Sequence, residues 1–392
     1  MLFNIFKAAA VATAVLSTAS AAPLDARDAH IVATTTTAEG QVIDWVKPES
    51  QVKDGKIATP PAPPASKRNL KAKQPSIEAI LGNDPAKKGP KGTVPRLRPS
   101  KVERPAKRLP TKDDHNVTST LSARDGYSGQ HWYASSGQNV NNHGGKAAFS
   151  LYKAYVQSGG DFSLLQTAVI RNNAAQAGGE AKSQTVEAGW INYPDQVQAP
   201  HLFAYYTTDG YSSNADNKGG WNTDVAGWVQ VDESIFPGVA FEPLSTDGGD
   251  QYEVEIGYWL TEGNWWLWAL DRYIGYYPGS LFAQGVNAAD TLAGYSDVID
   301  FYGEIYNSET EMTTTDMGSG EFPNTGFGKS AYLHNIYYIP SDSDAYVDYN
   351  GDNQLVISDT SRYDLDKHWS SGESWGSYFY LGGPGAGGQI GA

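Results

Sequence analysis

The chain contains no cysteine in its 392 residues. That absence excludes disulfide bonds, thiol nucleophiles and metal sites with cysteine ligands. Histidine is also scarce, with seven residues that lack metal-ligand spacing, and there is no H-E-x-x-H motif. We therefore predict no metal and no cofactor, and a fold stabilised by a sizeable buried core.

Basic residues are rare in the second part of the sequence. Residues 125–392 hold 9 Lys and Arg against 33 Asp and Glu, whereas residues 1–124 hold 20 and 11. The two parts therefore have net charges of −24 and +9. We predict no nucleic-acid partner for the acidic part, because phosphate contacts need clustered Lys and Arg.

The first residues have the pattern of a secretory signal peptide. Lys7 precedes an apolar run from Ala8 to Leu16, and Ala19-Ser20-Ala21 matches a small-residue cleavage signal. We predict a signal peptide over residues 1–21 and a secreted, extracellular protein with no membrane partner. A membrane anchor is the alternative, but the apolar run is too short to span a bilayer.

Residues 22–124 are rich in Pro and Lys, as in "KIATPPAPPASKRNLKAKQPS". Such a composition buries too little apolar surface to offset the entropy of ordering, so we expect this basic block to be mostly disordered alone. Its charge favours a propeptide that binds the acidic domain, and the alternative is a solvated linker or cell-wall tether. Candidate processing sites are Lys67-Arg68, Lys107-Arg108 and the junction after Arg124. Asn116 begins N-V-T, a glycosylation acceptor.

From Asp125 onward, short aromatic segments are separated by Gly, Asn, Asp and Pro. In "YEVEIGYWL", every second residue from Tyr252 to Leu260 is apolar, which is the period of a β-strand. Many short strands with regular turns predict an all-β domain over residues 125–392, a β-sandwich or barrel. The Gly-rich end from Gly382 to Ala392 is expected to be a loose tail.

Two motifs of other enzyme classes are present without the context that they need. Residues 372–376 match the G-x-S-x-G elbow, but neither an acid nor a histidine follows Ser374. Residues 383–388 match G-x-G-x-x-G, but too few residues follow to form the helix of a dinucleotide site. We therefore reject both motifs.

Two predicted strands each carry a glutamate opposite an apolar set of residues. In "SDVIDFYGEIYNS", Glu304 shares a polar face with Asp300, Tyr302 and Tyr306, opposite Ile299, Phe301 and Ile305. In "QTVEAGWINYP", Glu187 lies opposite Val186, Ala188 and Trp190. If both strands belong to one sheet, both carboxylates can project from the same face.

Paired carboxylates catalyse hydrolysis when one is ionised and acts as a base while the other is protonated and acts as an acid. The alternative is that each glutamate is an ordinary surface residue or a salt-bridge partner. Periodicity leaves both possibilities open.

A family resemblance bears on this choice. The segments "TVEAGWINYPDQ", "APHLFAYYTTDGY", "GNWWLWALDRYIGYYPGSLF", "VIDFYGEIYN" and "TTTDMGSGEFPNTGFGKSAYLHNI" occur in this order. Over roughly residues 129–339 they resemble the neprosin-type domain, which occurs in a secreted prolyl endopeptidase of carnivorous plants. Plant members carry cysteines after the D-G-Y segment, whereas "SSNADNKGGWN" here has none.

The resemblance implies an antiparallel β-sandwich of two packed, curved sheets and glutamic-peptidase activity. By motif match, the catalytic pair is Glu187, in E-A-G-W, and Glu304, in Y-G-E-I. It also implies protein or peptide substrates and a preference for proline at the cleaved position. Tyr302, Tyr306 and Trp190 are our candidates for the substrate groove, since aromatic rings can stack on a pyrrolidine ring.

We therefore expect a secreted acid endopeptidase, made as a precursor whose basic propeptide is also a partner, and acting as a monomer. A glycoside hydrolase or lyase is the first alternative, because paired carboxylates and aromatic platforms also suit sugars. A non-catalytic carbohydrate- or wall-binding β-sandwich is the second.

Overall fold

The computed structural model describes residues 29–62, 70–99, 104–117, 126–351, 354–372 and 375–391, and their regular secondary structure is almost entirely β. The strands are β1 (Ile31–Thr36), β2 (Val42–Val46), β3 (Val94–Leu97), β4 (Gln130–Ser150), β5 (Phe162–Ala174), β6 (Lys182–Tyr193), β7 (Val197–Thr207), β8 (Gly219–Trp221), β9 (Val229–Gln230), β10 (Glu253–Thr261), β11 (Asn264–Ala269), β12 (Arg272–Pro278), β13 (Ser296–Asn307), β14 (Ala331–Pro340), β15 (Val347–Asp348), β16 (Gln354–Ile357), β17 (Asp364–Gly372) and β18 (Gly376–Gly382). The α-helix α1 is Ile77–Leu81. Single 3-10 turns are Pro48–Gln51, Pro85–Lys87, Lys112–Asp114, Gly279–Leu281, Ala288–Asp290, Pro323–Thr325 and Gly385–Gly387. In this part of the chain, no helix is long and apolar enough to cross a membrane.

Strand β4 connects the two layers of the fold. Its first half pairs with β13 and β16, and its second half pairs with β10 and β14, always antiparallel. One arm of the sheet therefore runs β8-β7-β6-β5-β13-β4, and the other runs β4-β10-β11-β12-β9, with β14, β18 and β17 beyond β4. The predicted antiparallel β-sandwich is confirmed, and its two layers are arms of one continuous sheet.

The main core lies between the two arms and follows the two-residue period of the strands. From the first arm it takes Val186, Ala188 and Trp190 of β6 and Ile299, Phe301 and Ile305 of β13. From the second arm it takes Trp265, Leu267 and Ala269 of β11. The residues between these positions therefore point to the outer faces of the sandwich, and both glutamates belong to that outward set.

The basic block differs from the expectation of a mostly disordered segment. Strands β1, β2 and β3 form a separate three-stranded antiparallel sheet within it. Ile43, Trp45 and Leu97 of this small sheet join the main core of the sandwich. The acidic domain thus supplies the apolar contacts that the basic block cannot form by itself. A prediction from the composition of the block alone therefore misses its structure.

Polar contacts also attach this small sheet to the sandwich. The Gln51 side chain donates to the Gln230 carbonyl oxygen at 2.8 Å and accepts from its backbone N–H at 2.9 Å. Thr223 donates its hydroxyl to the carbonyl oxygen of Leu97 at 2.7 Å. The basic block therefore packs on the loop region around β9 as a specific, hydrogen-bonded interface.

Replacing Trp45 by alanine is expected to lower the free energy of unfolding of the full chain by about 3–5 kcal/mol. The Trp45 ring is fully buried, its indole N–H donates to the Thr35 hydroxyl at 2.9 Å, and Gly89 packs against its face. Denaturant unfolding measures the change, with Val32→Ala, at a position 43 % exposed, as the matched control. A Trp45→Ala chain as stable as the control would show that this packing is not a specific interface.

The Gly-rich end is not the loose tail that the sequence predicts. Gly382 ends β18, Gly383 forms a β-bridge with Met317, and the Gly391 N–H donates to Asp316 at 2.9 Å. Gly383 has a φ of +150°, and a Cβ there would lie 1.9 Å from the Arg362 carbonyl oxygen. Gly383 is therefore needed because the backbone packs closely at this position.

The rejected serine motif lies at the turn between β17 and β18, and Ser374 itself is outside the described residues. The residues that follow form an antiparallel strand instead of the helix that an elbow needs. The predicted signal peptide, Lys67-Arg68 and Arg124 also lie outside the described residues.

Candidate active site

The sheet register brings Glu187 and Glu304 onto the same outer face of the first arm. Strand β5 lies between β6 and β13, and Glu187 is registered with Ala168 while Glu304 is registered with Leu164. These two β5 residues are four apart, so they share a face of the sheet. Gln166 lies midway between them, and its side chain therefore projects between the two carboxylates.

Glu187 accepts hydrogen bonds from three neutral side chains. The donors are Tyr211 at 2.6 Å, Gln166 at 2.8 Å and Thr185 at 2.9 Å. The Glu187 side chain is fully buried, and this set of donors compensates for the water that a carboxylate loses on burial.

Glu304 is surrounded by cationic and ionisable groups instead. Its carboxylate lies 2.8 Å from the Lys107 ammonium and 2.6 Å from Nδ1 of His131. Burial raises the pKa of Glu304, but the charge of Lys107 and the contact with His131 outweigh burial and hold that pKa below its ordinary value. The two glutamates therefore have different electrostatic surroundings.

Lys107 belongs to the basic block, and its ammonium lies between the two glutamates. Besides the contact with Glu304, it lies 3.3 Å from Glu187 and donates to the Gln166 side-chain oxygen at 2.7 Å. Its side chain is fully buried. The aromatic rings within 6 Å of the ammonium are Phe203, Trp221 and Tyr302. We call Lys107 with its contacts to Glu187, Glu304 and Gln166 the lysine latch.

The chain on both sides of Lys107 runs across the site without forming a helix or strand. Before it, Arg104 forms an ion pair with Asp224 at 2.8 Å, and the Trp221 indole donates to the Pro105 carbonyl oxygen at 3.4 Å. After it, the Tyr133 hydroxyl donates to the Arg108 carbonyl oxygen at 3.1 Å. The sandwich therefore binds a peptide segment by its backbone carbonyls on either side of the carboxylate pair.

In the folded chain, the structure does not leave Lys107-Arg108 accessible as a processing site. Lys107 is fully buried, and Arg108 forms a two-bond ion pair with Asp114 at 2.6 and 2.7 Å. A protease that reads a dibasic pair needs both side chains in its own pockets, so this segment must first leave the site.

The three predicted groove residues have different positions. Tyr302 lies in the site, where its hydroxyl contacts the Gln166 side chain. Tyr306 lies beside it, with its ring centre 5.0 Å from that of His131. Trp190 is not a groove residue: it packs in the main core and donates its indole N–H to the Ser150 carbonyl oxygen at 2.8 Å. The reason is the strand period, which places Trp190 on the face opposite Glu187.

Several residues of the site were not predicted. Gln166, followed by Thr167, interrupts the mostly apolar segment "SLLQTAVI", and that interruption of the pattern is a usable signal. Tyr211 lies in the D-G-Y segment, although the sequence gives it no partner. His131 and Lys107 carry no signal, because each reaches its position only through long-range pairing of β4 or the basic block.

One further carboxyl lies on the same face as the pair. Asp300 on β13 is registered with Ala168 and thus lies in line with Glu187 on β6. Burial raises the pKa of Asp300 to about 7, and the Glu187 charge contributes to the shift. This face therefore holds three carboxyl groups.

The predicted glycosylation acceptor lies on the surface of the described part of the chain. Asn116 is exposed, with its backbone N–H bonded to the Ile357 carbonyl oxygen at 3.0 Å. Glycosylation there stays a prediction.

Among the residues that the structure describes, no three His, Asp or Glu side chains are arranged to hold a metal ion.

The fold and the site define a β-sandwich with two buried glutamates that face each other across a glutamine. The neprosin family model matches residues 159–384, which is more than half of the chain. The chain belongs to the neprosin family, and the resemblance seen in the sequence is confirmed.

Solved structures to which the chain is similar include two peptidases. One is scytalido-glutamic peptidase with a peptide-based transition-state analogue, with 9% identity, a TM-score of 0.31, and coverage of 64% of this chain and 97% of that one. Another is SCP-B, an eqolisin-family peptidase in complex with the tripeptide Ala-Ile-His, with 7% identity, a TM-score of 0.31, and coverage of 65% and 98%.

Proposed function

We propose that the chain is the latent precursor of a glutamic-type endopeptidase that uses Glu187, Glu304 and a water molecule. The observation that carries the proposal is the peptide segment around Lys107, which lies across both carboxylates while the sandwich binds its backbone carbonyls. A groove that holds the backbone of its own chain in this way is suited to hold the backbone of a substrate.

The same observation favours a peptidase over the two carbohydrate alternatives. The contacts on either side of Lys107 go to the carbonyls of Pro105 and Arg108, which are groups that every peptide presents. A sugar site needs hydroxyl-directed side chains around the aromatic rings instead. We therefore take protein or peptide as the substrate class.

The two glutamates have separate roles in the proposed mechanism. Glu187 takes a proton from water, and the resulting hydroxide adds to the scissile carbonyl carbon. Protonated Glu304 donates to the carbonyl oxygen, which bears the developing negative charge. When the C–N bond breaks, the amine leaves with the proton that Glu187 accepted. The oxygen that Glu304 protonated returns its proton to Glu304 as the C=O bond of the acid product forms. We assign the acid role to Glu304 because burial, the largest influence on its pKa, favours the protonated form. Release of Lys107 removes one of the two contacts that oppose burial, and the contact with His131 is the other.

The lysine latch explains why the precursor is inactive in this proposal. Lys107 occupies the position of the attacking water and holds both carboxylates by charge. It lowers the pKa of Glu304, so ionised Glu304 stabilises the latched state at neutral pH. That contribution is fully present above the pKa that Glu304 has in the released state, and it is lost as the pH falls through the lowered value. Acid therefore weakens the latch.

Secretion and proline preference are parts of the proposal that rest on the sequence. The predicted signal peptide supports export, and the family resemblance supports proline at the cleaved position. Trp221, whose indole contacts the Pro105 carbonyl, lies where an aromatic ring would meet a substrate residue close to the carboxylates.

We expect the full-length protein to process itself when acidified and then to cleave peptides best in acid. The mechanism needs one proton shared by the pair, and an ordinary glutamate titrates near pH ~4.3. The activity is measured by mass spectrometry of a mixed peptide and polysaccharide digest, which is repeated at several pH values between about 3 and 8. N-terminal sequencing should place the new start between Leu109 and Tyr127.

Two outcomes would contradict this expectation. A processed protein that is most active above pH ~7, where both carboxylates should be ionised, would refute the shared proton. Cleavage of the polysaccharide instead of the peptides would replace the peptidase by the first carbohydrate alternative.

A further inference from the structure

The second arm of the sandwich has an unusual outer face. Strand β11 is buried on both sides, with Trp265 and Leu267 in the main core and Trp266 and Trp268 on the outer face. We call the outward aromatic set the aromatic groove, and it consists of Trp259, Trp266, Trp268, Tyr273 and Tyr276. The main core separates it from the glutamate pair.

The aromatic rings of this groove form a continuous row. Trp266 contacts Tyr276 with ring centres 4.6 Å apart and Tyr273 at 5.5 Å. Trp268 contacts Tyr273 at 4.9 Å. Edge-on and tilted rings in a row form a surface with grooves between neighbouring rings, into which side chains of a covering segment can fit.

The chain's own basic block covers the groove with the start of its proline-rich segment, "KIATPPA", residues 56–62. Ile57 and Ala58 pack on the aromatic cluster, and Pro60, which is exposed, lines a surface cavity together with Tyr273 and Arg272. The segment forms neither a helix nor a strand. Ala58 and Pro61, three residues apart, are both half-buried, and three residues is the period of the polyproline II helix.

Two tyrosine hydroxyls bind the backbone of this segment. The Tyr276 hydroxyl accepts from the Ala58 N–H at 3.2 Å, and the Tyr273 hydroxyl donates to the Ala62 carbonyl oxygen at 3.2 Å. Aromatic slots that hold proline rings, together with hydroxyls that bind the free backbone groups, are the general means by which proteins recognise proline-rich peptides. None of these contacts involves the glutamate site.

We propose that the aromatic groove is a second peptide-binding site, which takes a proline-rich extended segment of a protein substrate once the basic block has left. Its use in the mature protein rests on the proposed release of that block. In the full-length chain, residues 56–62 then fill the groove as the substrate segment would, and their sequence indicates which residue types the groove binds. Lys53 and Lys56 before it are exposed, while the domain beneath is acidic, so the preferred segment is also basic.

The binding test uses the full-length chain at neutral pH, where the latch is closed and catalysis is not needed. Ile57→Ser with Pro61→Ser weakens the internal occupant, and the probe is a fluorescent synthetic peptide with the sequence of residues 53–64. We expect this variant to bind the probe at least tenfold more tightly than the unmodified chain, whose own segment competes at high effective concentration. A control peptide with serine at every proline should bind at least tenfold more weakly than the probe.

Two groove variants then locate the binding. In the opened chain, Trp268→Ala should weaken probe binding by at least tenfold. Tyr273→Phe removes one hydroxyl and no ring, and should weaken binding by roughly two- to tenfold, the range for one hydrogen bond. Circular dichroism shows that each variant is folded, and Tyr273→Phe keeps the test decisive if Trp268→Ala does not fold.

Equal binding of the probe and the proline-free control peptide would overturn the proposal, and so would an absence of saturable binding to the opened chain. On the acid-processed protein, a peptide substrate with a distal proline-rich tail should have at least a threefold lower KM than its tail-free form, at equal kcat. Equal KM values would overturn recruitment of substrates by the groove. A processed protein that cleaves neither substrate would refute the peptidase proposal and would leave the result of the binding test in place.

Discussion

Glu187→Gln and Glu304→Gln, each processed in trans by unmodified enzyme that is then removed, are expected to lower kcat of the processed protein by about 10²–10⁴-fold, the usual contribution of one general acid or base. In the proposed mechanism each glutamate has its own role, so neither can replace the other. The measurement is single-substrate hydrolysis in acid, with Glu180→Gln, in an exposed loop, as the matched control. Full activity in either folded variant would rule out that residue as part of the catalytic pair.

These variants also change the stability of the precursor, and this effect must be separated from catalysis. In Glu304→Gln, Lys107 stays buried with one carboxylate fewer, and a broken buried ion pair costs about 3–5 kcal/mol. The double variant Lys107→Gln with Glu304→Gln removes both charges and should recover much of that loss. An inactive double variant with restored stability would show that Glu304 acts in catalysis as well as in folding.

Lys107→Gln is expected to shorten the activation half-time of the full-length protein at neutral pH by at least about tenfold. The latch includes two ion-pair contacts that a neutral side chain does not form. A tenfold decrease in the equilibrium constant between latched and released states requires a loss of only ~1.4 kcal/mol. Lys112→Gln, at an exposed position five residues away, is the control. The readout is the appearance of the processed band and of peptidase activity with time after purification.

The same experiment tests the cause of acid activation. The unmodified precursor should activate faster as the pH falls, because protonation of Glu304 removes the charge that Lys107 pairs with. The Lys107→Gln chain should lose most of this pH dependence. A variant that stays as latent as the unmodified chain, with the same dependence on pH, would show that another part of the basic block maintains latency.

Local sequence patterns predicted the face of the sheet on which Glu187 and Glu304 lie. The two-residue period around Glu187 and Glu304 separates outward from inward residues, and the register through β5 confirms it. The same rule, applied to Trp190, places it in the core, so its selection as a groove residue was wrong on the pattern alone. Periodicity is a property of a single strand, and it is readable without a partner strand.

What the sequence did not predict depends on contacts between distant residues. Lys107 and Glu304 are 197 residues apart, and nothing local marks that lysine among the others of the basic block. The average composition of the basic block also gave no indication of the short apolar segment "VIDWV" at residues 42–46. Trp45 in this segment is fully buried against the sandwich. A segment that folds only on its partner shows too little apolar character by itself to be recognised.

The position of β4 at the junction of the two arms has a consequence for the order of folding. Its hydrogen-bonding partners, β10, β13, β14 and β16, all follow it in the chain, and the most distant pairing joins Ala134 to Ile357. The pairing of β4 with β16 cannot form until nearly the whole chain has left the ribosome. Sheets with such distant pairings fold slowly, since long loops must close before contacts stabilise them. The basic block is synthesised before the strands on which it packs, so in the proposed precursor it is already available to cover the two glutamates when the sandwich is complete.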